Sequence, residues 1–131
     1  MDAEELSISA FIGKEKRDRY LGFLTPKRRD KLRAMLAHDT EGHLAAASKK
    51  AILPRDQNLE AILAMLIARG APASCHVISE DSRIDGRDMP LRDALEVTIG
   101  QGMGTIICCV PGRLAYFEGE DMGARFLLEK S

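Results

Sequence analysis

A chain of 131 residues with 45% apolar and 30% charged side chains is long enough to bury one core, too short for two catalytic domains, and too apolar to stay disordered. Its 19 Lys/Arg and 20 Asp/Glu leave a formal charge of −1, while the absence of tryptophan and an aromatic content of 5% argue against a stacking platform for bases or sugars. Three cysteines, two of them adjacent at Cys108 and Cys109, do not make the framework of a secreted disulfide scaffold.

The longest apolar run, Ala61 to Ala68, falls far short of the ~20 residues needed to cross a bilayer. Asp2, Glu4 and Glu5 stand where a signal peptide carries positive charge. The expectation is therefore a cytoplasmic protein without a membrane span, folded as a single α+β domain over residues 1–131.

Residues 1–12 mix acids with Leu6, Ile8, Phe11 and Ile12, and read either as a frayed lead-in or as a docking arm. A first helix is predicted from Lys14 to Leu24, with Tyr20, Leu21 and Leu24 on its apolar side. Thr25-Pro26 interrupts it, because the residue before proline is pushed out of the α region. Thr25 as N-cap and Pro26 at the first position then open a second helix to His38, burying Leu32, Met35 and Leu36. In the least readable stretch, 39–57, an Ala-rich helix is expected between His43 and Ile52, since long structureless loops are uncommon in small domains.

Asn58 caps a helix to Arg69, with Leu59, Ile62, Leu63, Leu66 and Ile67 inward and Gly70 as its stop. Cys75 to Ser79 reads as a strand, Glu80 to Asp88 as a charged loop turning at Asp85-Gly86, and Asp88 as the cap of a helix through Ile99. Thr105 to Val110 is apolar almost throughout, as a central strand covered on both faces should be. Pro111-Gly112 suits a type II turn into Leu114–Glu118, and Arg125–Glu129 makes the last strand. The plan is N-terminal helices, then strand, helix and a three-strand antiparallel meander: about four strands with helices mainly on one face.

The strongest candidate site is the start of the second helix, Thr25, Lys27, Arg28, Arg29 and Lys31. A helix N-terminus carries partial positive charge and unpaired N–H groups, so bases there are unfavourable until an anion arrives. Residues 13–34 hold 9 bases against 3 acids, and residues 1–50 hold 11 against 8, so attraction for anions belongs to the first half. The alternative is a solvated face whose bases pair with neighbouring acids such as Glu15, Asp18 and Asp30.

A second candidate is the loop 80–88, with Asp81, Asp85 and Arg87 near its centre. Its resemblance to a calcium loop fails where Arg83 and Arg92 replace required ligands. Gly100, Gly102 and Gly104 alternate as in phosphate loops but follow a helix and precede a strand, the reverse of the phosphate-binding order, so they read as a helix stop and tight turn. The Cys and His residues lack metal-ligand spacing, and no nucleophile-elbow, Walker A or cofactor motif is present.

These features favour a noncatalytic binding or regulatory module for an acidic partner protein or small anionic ligand. One alternative is a nucleic-acid-associated protein using residues 14–33, disfavoured by the lack of any recognition motif. Another is a small hydrolase-type enzyme at residues 80–88. A homodimer is expected if the last strand or the N-terminal arm leaves an apolar edge.

Overall fold

The computed structural model describes residues 1–38, 40–121 and 123–130. Its centre is a six-stranded, wholly antiparallel sheet of β1 (Lys49–Ala51), β2 (Ser74–Ser79), β3 (Asp88–Pro90), β4 (Thr105–Val110), β5 (Leu114–Glu118) and β6 (Arg125–Glu129), in the order β1-β6-β5-β4-β2-β3. The α+β class holds, but six strands replace the four expected. The last three strands are the middle of a larger sheet rather than most of a small one. The two strands missed by sequence are β1 and β3, three-residue edges of which Lys49–Ala51 was expected inside an Ala-rich helix and Asp88–Pro90 at the start of a helix.

Helices cover both faces, not mainly one. The alternation of side chains along β4 decides this: Ile106 and Cys108 join Ile78, Ala115, Phe117 and Leu128 in one core, while Ile107 and Cys109 join Val77, Tyr116 and Leu127 in the other. The first core is closed by α1 (Ala3–Phe11), α2 (Lys14–Gly22) and α3 (Arg29–His38), which contribute Ile8, Phe11, Tyr20, Leu32 and Leu36. The second is closed by α5 (Leu59–Ala68) and α6 (Leu91–Thr98), through Ile62, Leu66, Leu91 and Leu95. Each of these large side chains, fully removed from water, contributes about 1.5–3 kcal/mol.

Residues 1–12 are neither frayed nor a loose arm. Asp2 and Glu5 form a reciprocal capping box, and α1 buries Ser7, Ile8, Ala10 and Phe11. Helix α2 ends at Gly22 rather than Leu24. Pro26–Arg28 forms a 3-10 turn before α3, and the Thr25 side chain makes no cap bond. In place of a helix over 43–52 there is a short α4 (Thr40–His43), a 3-10 turn at Ala46–Ser48 and then β1; residue 39, the first of the stretch 39–57, lies outside the described residues. Tyr20 holds α4 in place, its hydroxyl 2.9 Å from Thr40 Oγ1 and 2.8 Å from His43 Nδ1.

Asn58 caps α5 as expected, accepting from the Ala61 N–H at 3.0 Å, and Gly70 stops it at φ 103°. Ile67, expected inward, is 56% exposed; the buried side chains of α5 are Ile62 and Leu66, with Leu59, Leu63 and Met65 packed beside them. Asp88 does not cap a helix: it pairs with His76 across β2 and β3, and Pro90 takes the cap position of α6. The two grounds for self-association are satisfied within the chain, since β6 is paired on both sides and α1 is docked. Among the described residues no helix is long and apolar enough to cross a membrane.

Candidate functional site

Arg28 and Arg29 stand side by side where α3 begins, and the fold sends them in different directions. Arg29 turns inward. Its guanidinium donates to both carboxylate oxygens of Glu4 on α1, at 2.6 and 2.9 Å, and to both of Asp85 in the β2–β3 loop, at 2.7 Å each. Bidentate pairs of this kind are the strong form of ion pair.

The cluster extends through His76 on β2, whose Nε2 lies 2.7 Å from Glu4 Oε2 and whose Nδ1 lies 2.8 Å from Asp88 Oδ1. A carboxylate offers only acceptors, so both contacts are hydrogen bonds when the ring is the imidazolium. The Glu4 hydrogen bond is the main reason that the His76 pKa is raised; burial opposes it and Asp88 assists. Burial alone pushes the Glu4 carboxyl up, but hydrogen bonds and charge from His76 and Arg29 outweigh it and leave the group at about 2. Asp85 also accepts from the Ser79 N–H at 2.9 Å, so its side chain is only 6% exposed. The cluster thus clamps α1, α3, β2 and the following loop together.

The other predicted anion-binding residues, Thr25, Lys27, Arg28 and Lys31, are exposed. Arg28 and Lys31 line a groove of about 580 Å3 between α2 and α3, together with Asp18, Arg19 and His38. Gly22, Phe23, Ala34 and Met35 supply its apolar surface, and the Arg28 guanidinium lies 5.2 Å from the centre of the Phe23 ring. Among the described residues, no carboxylate stands within ion-pair distance of Arg19, Arg28 or Lys31, whereas Arg33 is paired with Asp30. Thr25 and Lys27 do not line the groove.

The second candidate set does not converge. Asp81 accepts from the Arg83 backbone and side chain at 2.9–3.0 Å, Asp85 holds Arg29, and Arg87 donates to the Arg83 carbonyl at 3.3 Å. The structure therefore joins one residue of each predicted site, Arg29 and Asp85, in a single cluster and separates the rest. Glu4 and His76, which complete it, carry no signal in sequence: the Arg29–Glu4 and His76–Glu4 contacts span 25 and 72 residues.

The glycine loop does cradle anions, but they belong to the chain. Buried Glu118 accepts from the N–H groups of Gly100 and Gly102 at 3.3 and 3.2 Å and from the Tyr116 hydroxyl at 2.8 Å, beside Arg125 at 3.2 Å. Gly104 donates to Glu80 at 2.8 Å. Cys75, Cys108 and Cys109 are free and buried, and burial raises the first two thiols to about 11 and about 12, which keeps them in the unreactive protonated form. Among the described residues no three His, Cys, Asp or Glu side chains gather as metal ligands would. The chain matches no known protein-family model, no curated protein and no solved structure.

Proposed function

We propose that this chain is a noncatalytic binding module whose α2–α3 groove takes an acidic segment of a partner protein. The observation that carries the reading is the set of three cations, Arg19, Arg28 and Lys31, with no carboxylate partner among the described residues, arranged around an apolar floor. Cations with an apolar surface between them suit a ligand that is itself amphipathic, such as a peptide helix presenting acids beside Leu or Phe. A small anionic ligand would use the same cations but leave Phe23 and Met35 without a role. A nucleic-acid strand would prefer an aromatic free to stack, and Phe23 lies under Arg28.

The test is fluorescence anisotropy of a labelled acidic amphipathic peptide, set against duplex DNA and RNA at low and moderate salt. Wild type is compared with Arg28→Glu and Lys31→Glu, leaving Arg29 intact. The reading expects peptide binding weakened by about tenfold or more in either variant. Steeply salt-dependent binding of nucleic acid in place of the peptide would move the groove to the nucleic-acid reading. Peptide affinity equal in all three proteins would end the groove proposal.

A further inference from the structure

A second cleft, close in volume to the groove, lies at the end of the sheet where α5 stops. The helix ends at Ala68 and turns away at Gly70, while the strands it covers run on. The uncovered corner encloses about 590 Å3, within the range of small-molecule sites. Lys50 on β1, Arg69 at the end of α5, Arg113 in the β4–β5 turn and Lys130 after β6 line it, with Glu129 the single carboxylate among the described residues.

Two features separate this corner from an ordinary solvated charge run. First, the four cations come from four different elements, so they meet only in the folded chain; each approach of like charges is a cost that nothing in local sequence demands. Second, they gather against the local composition. Residues 51–131 hold 8 Lys/Arg against 12 Asp/Glu, and three of those eight bases line this one cleft. Arg69 stands 3.4 Å from Glu129, whereas Lys50, Arg113 and Lys130 have no carboxylate partner among the described residues. Four cations against one carboxylate leave a surplus of three positive charges. The walls between them are mainly small or apolar, from Ala47, Val110 and Leu114.

We propose that this cleft binds a small phosphate-bearing molecule carrying two or three negative charges. A single negative charge leaves most of the surplus uncancelled, and a volume of about 590 Å3 is that of a small-molecule site. Two guanidinium groups, Arg69 and Arg113, supply the forked donors that match phosphate oxygens, and two ammonium groups complete the charge. The site is independent of the α2–α3 groove and shares no lining residue with it.

The test is isothermal titration calorimetry of the full chain with inorganic pyrophosphate. Citrate serves as the carboxylate control, and Arg113→Glu, Lys50→Glu and the groove variant Arg28→Glu are titrated alongside. Arg113 and Lys50 are exposed, and circular dichroism checks that their variants stay folded. The expected result is saturable single-site binding, weakened by about tenfold or more in Arg113→Glu and in Lys50→Glu but unchanged in Arg28→Glu. The proposal is overturned by absence of saturable pyrophosphate binding, by citrate binding as tightly, or by an equal loss in Arg28→Glu, which would mark a diffuse charge effect.

Discussion

Arg28 and Arg29 are neighbours in sequence with opposite fates. Arg29 lies between two carboxylates with its side chain 18% exposed, while Arg28 lies over a phenylalanine ring at the lip of an open groove. One holds three parts of the chain together; the other is available to something outside it. A basic run in a sequence therefore does not divide into structural and functional charges by composition. The division is made by which carboxylates the fold brings within reach.

The sharpest test of that contrast is thermodynamic. Arg29→Ala leaves Glu4 and Asp85 facing each other without their counter-ion, and breaking a buried pair by removing one partner costs about 3–5 kcal/mol. A loss toward the lower end is expected, because the pair is not wholly removed from water, and urea unfolding followed by circular dichroism measures it. Arg28→Ala in the same assay should cost about 0.5–1 kcal/mol, the worth of an exposed cation–π contact. Equal losses in the two variants would falsify the division of labour.

A comparable loss is expected one layer away, where α3 meets the start of β4. A Cβ on Gly104 would sit 1.7 Å from the Leu36 carbonyl oxygen, so Gly104→Ala has to push the backbone of α3 off the strand. Overpacking against backbone costs about 3 kcal/mol, and here it also shifts the helix that carries Arg29. Thermal unfolding of Gly104→Ala reads this directly, and a variant as stable as wild type would mean that α3 is not seated as described.

These elements differ in how far sequence announces them. The strands 105–110, 114–118 and 125–129 were legible to the residue, because apolar runs end at the Pro111-Gly112 turn and at a polar loop. Helix α5 was legible from its Asn58 cap and Gly70 stop, although the orientation of Ile67 was not. The edge strands escaped notice because three residues are too few to show an alternating pattern, so the Ala-rich surroundings of Lys49–Ala51 and the cap-like Asp88 with Pro90 read as helix. The two-sided covering of the sheet was implicit in the unbroken apolar run of β4, yet the helix count before it pulled the expectation to one face. For the site, sequence offered Arg29 and Asp85 in two separate candidate sites; their meeting spans 56 residues, a distance over which no local pattern carries information.

The Arg29 cluster should also give stability a pH signature. The Glu4 pKa is lowered from 4.5 to about 2, so its contribution is complete above pH 4.5 and fades as the pH falls toward 2. The His76 pKa is raised from 6.5, so its contribution is complete below pH 6.5 and is lost as the pH climbs through the raised value. Both contributions are present together between pH 4.5 and 6.5. Urea midpoints measured across pH for wild type, Glu4→Gln and His76→Gln should therefore differ by limb. The glutamine at position 4 flattens the acid side and, because the Glu4 hydrogen bond is the main cause of the raised His76 pKa, much of the alkaline side as well, whereas the one at position 76 flattens the alkaline side and leaves Arg29 to hold part of the acid side. Superimposable profiles would show that the two groups titrate alike in the folded and unfolded chain.

The smallest effect on stability is expected where the largest effect on binding is claimed. Lys31 is exposed on α3 and touches no carboxylate among the described residues, so Lys31→Ala should change the unfolding free energy by less than about 0.5 kcal/mol. The same substitution removes one of three cations from the α2–α3 groove, and a cation at a rim sets association rate and salt dependence more than it sets packing. Slower association with an acidic peptide and a shallower salt dependence, at unchanged stability, is the pattern of a residue retained for an external partner. The reverse pattern would place Lys31 with Arg29, among the charges that the fold keeps for itself.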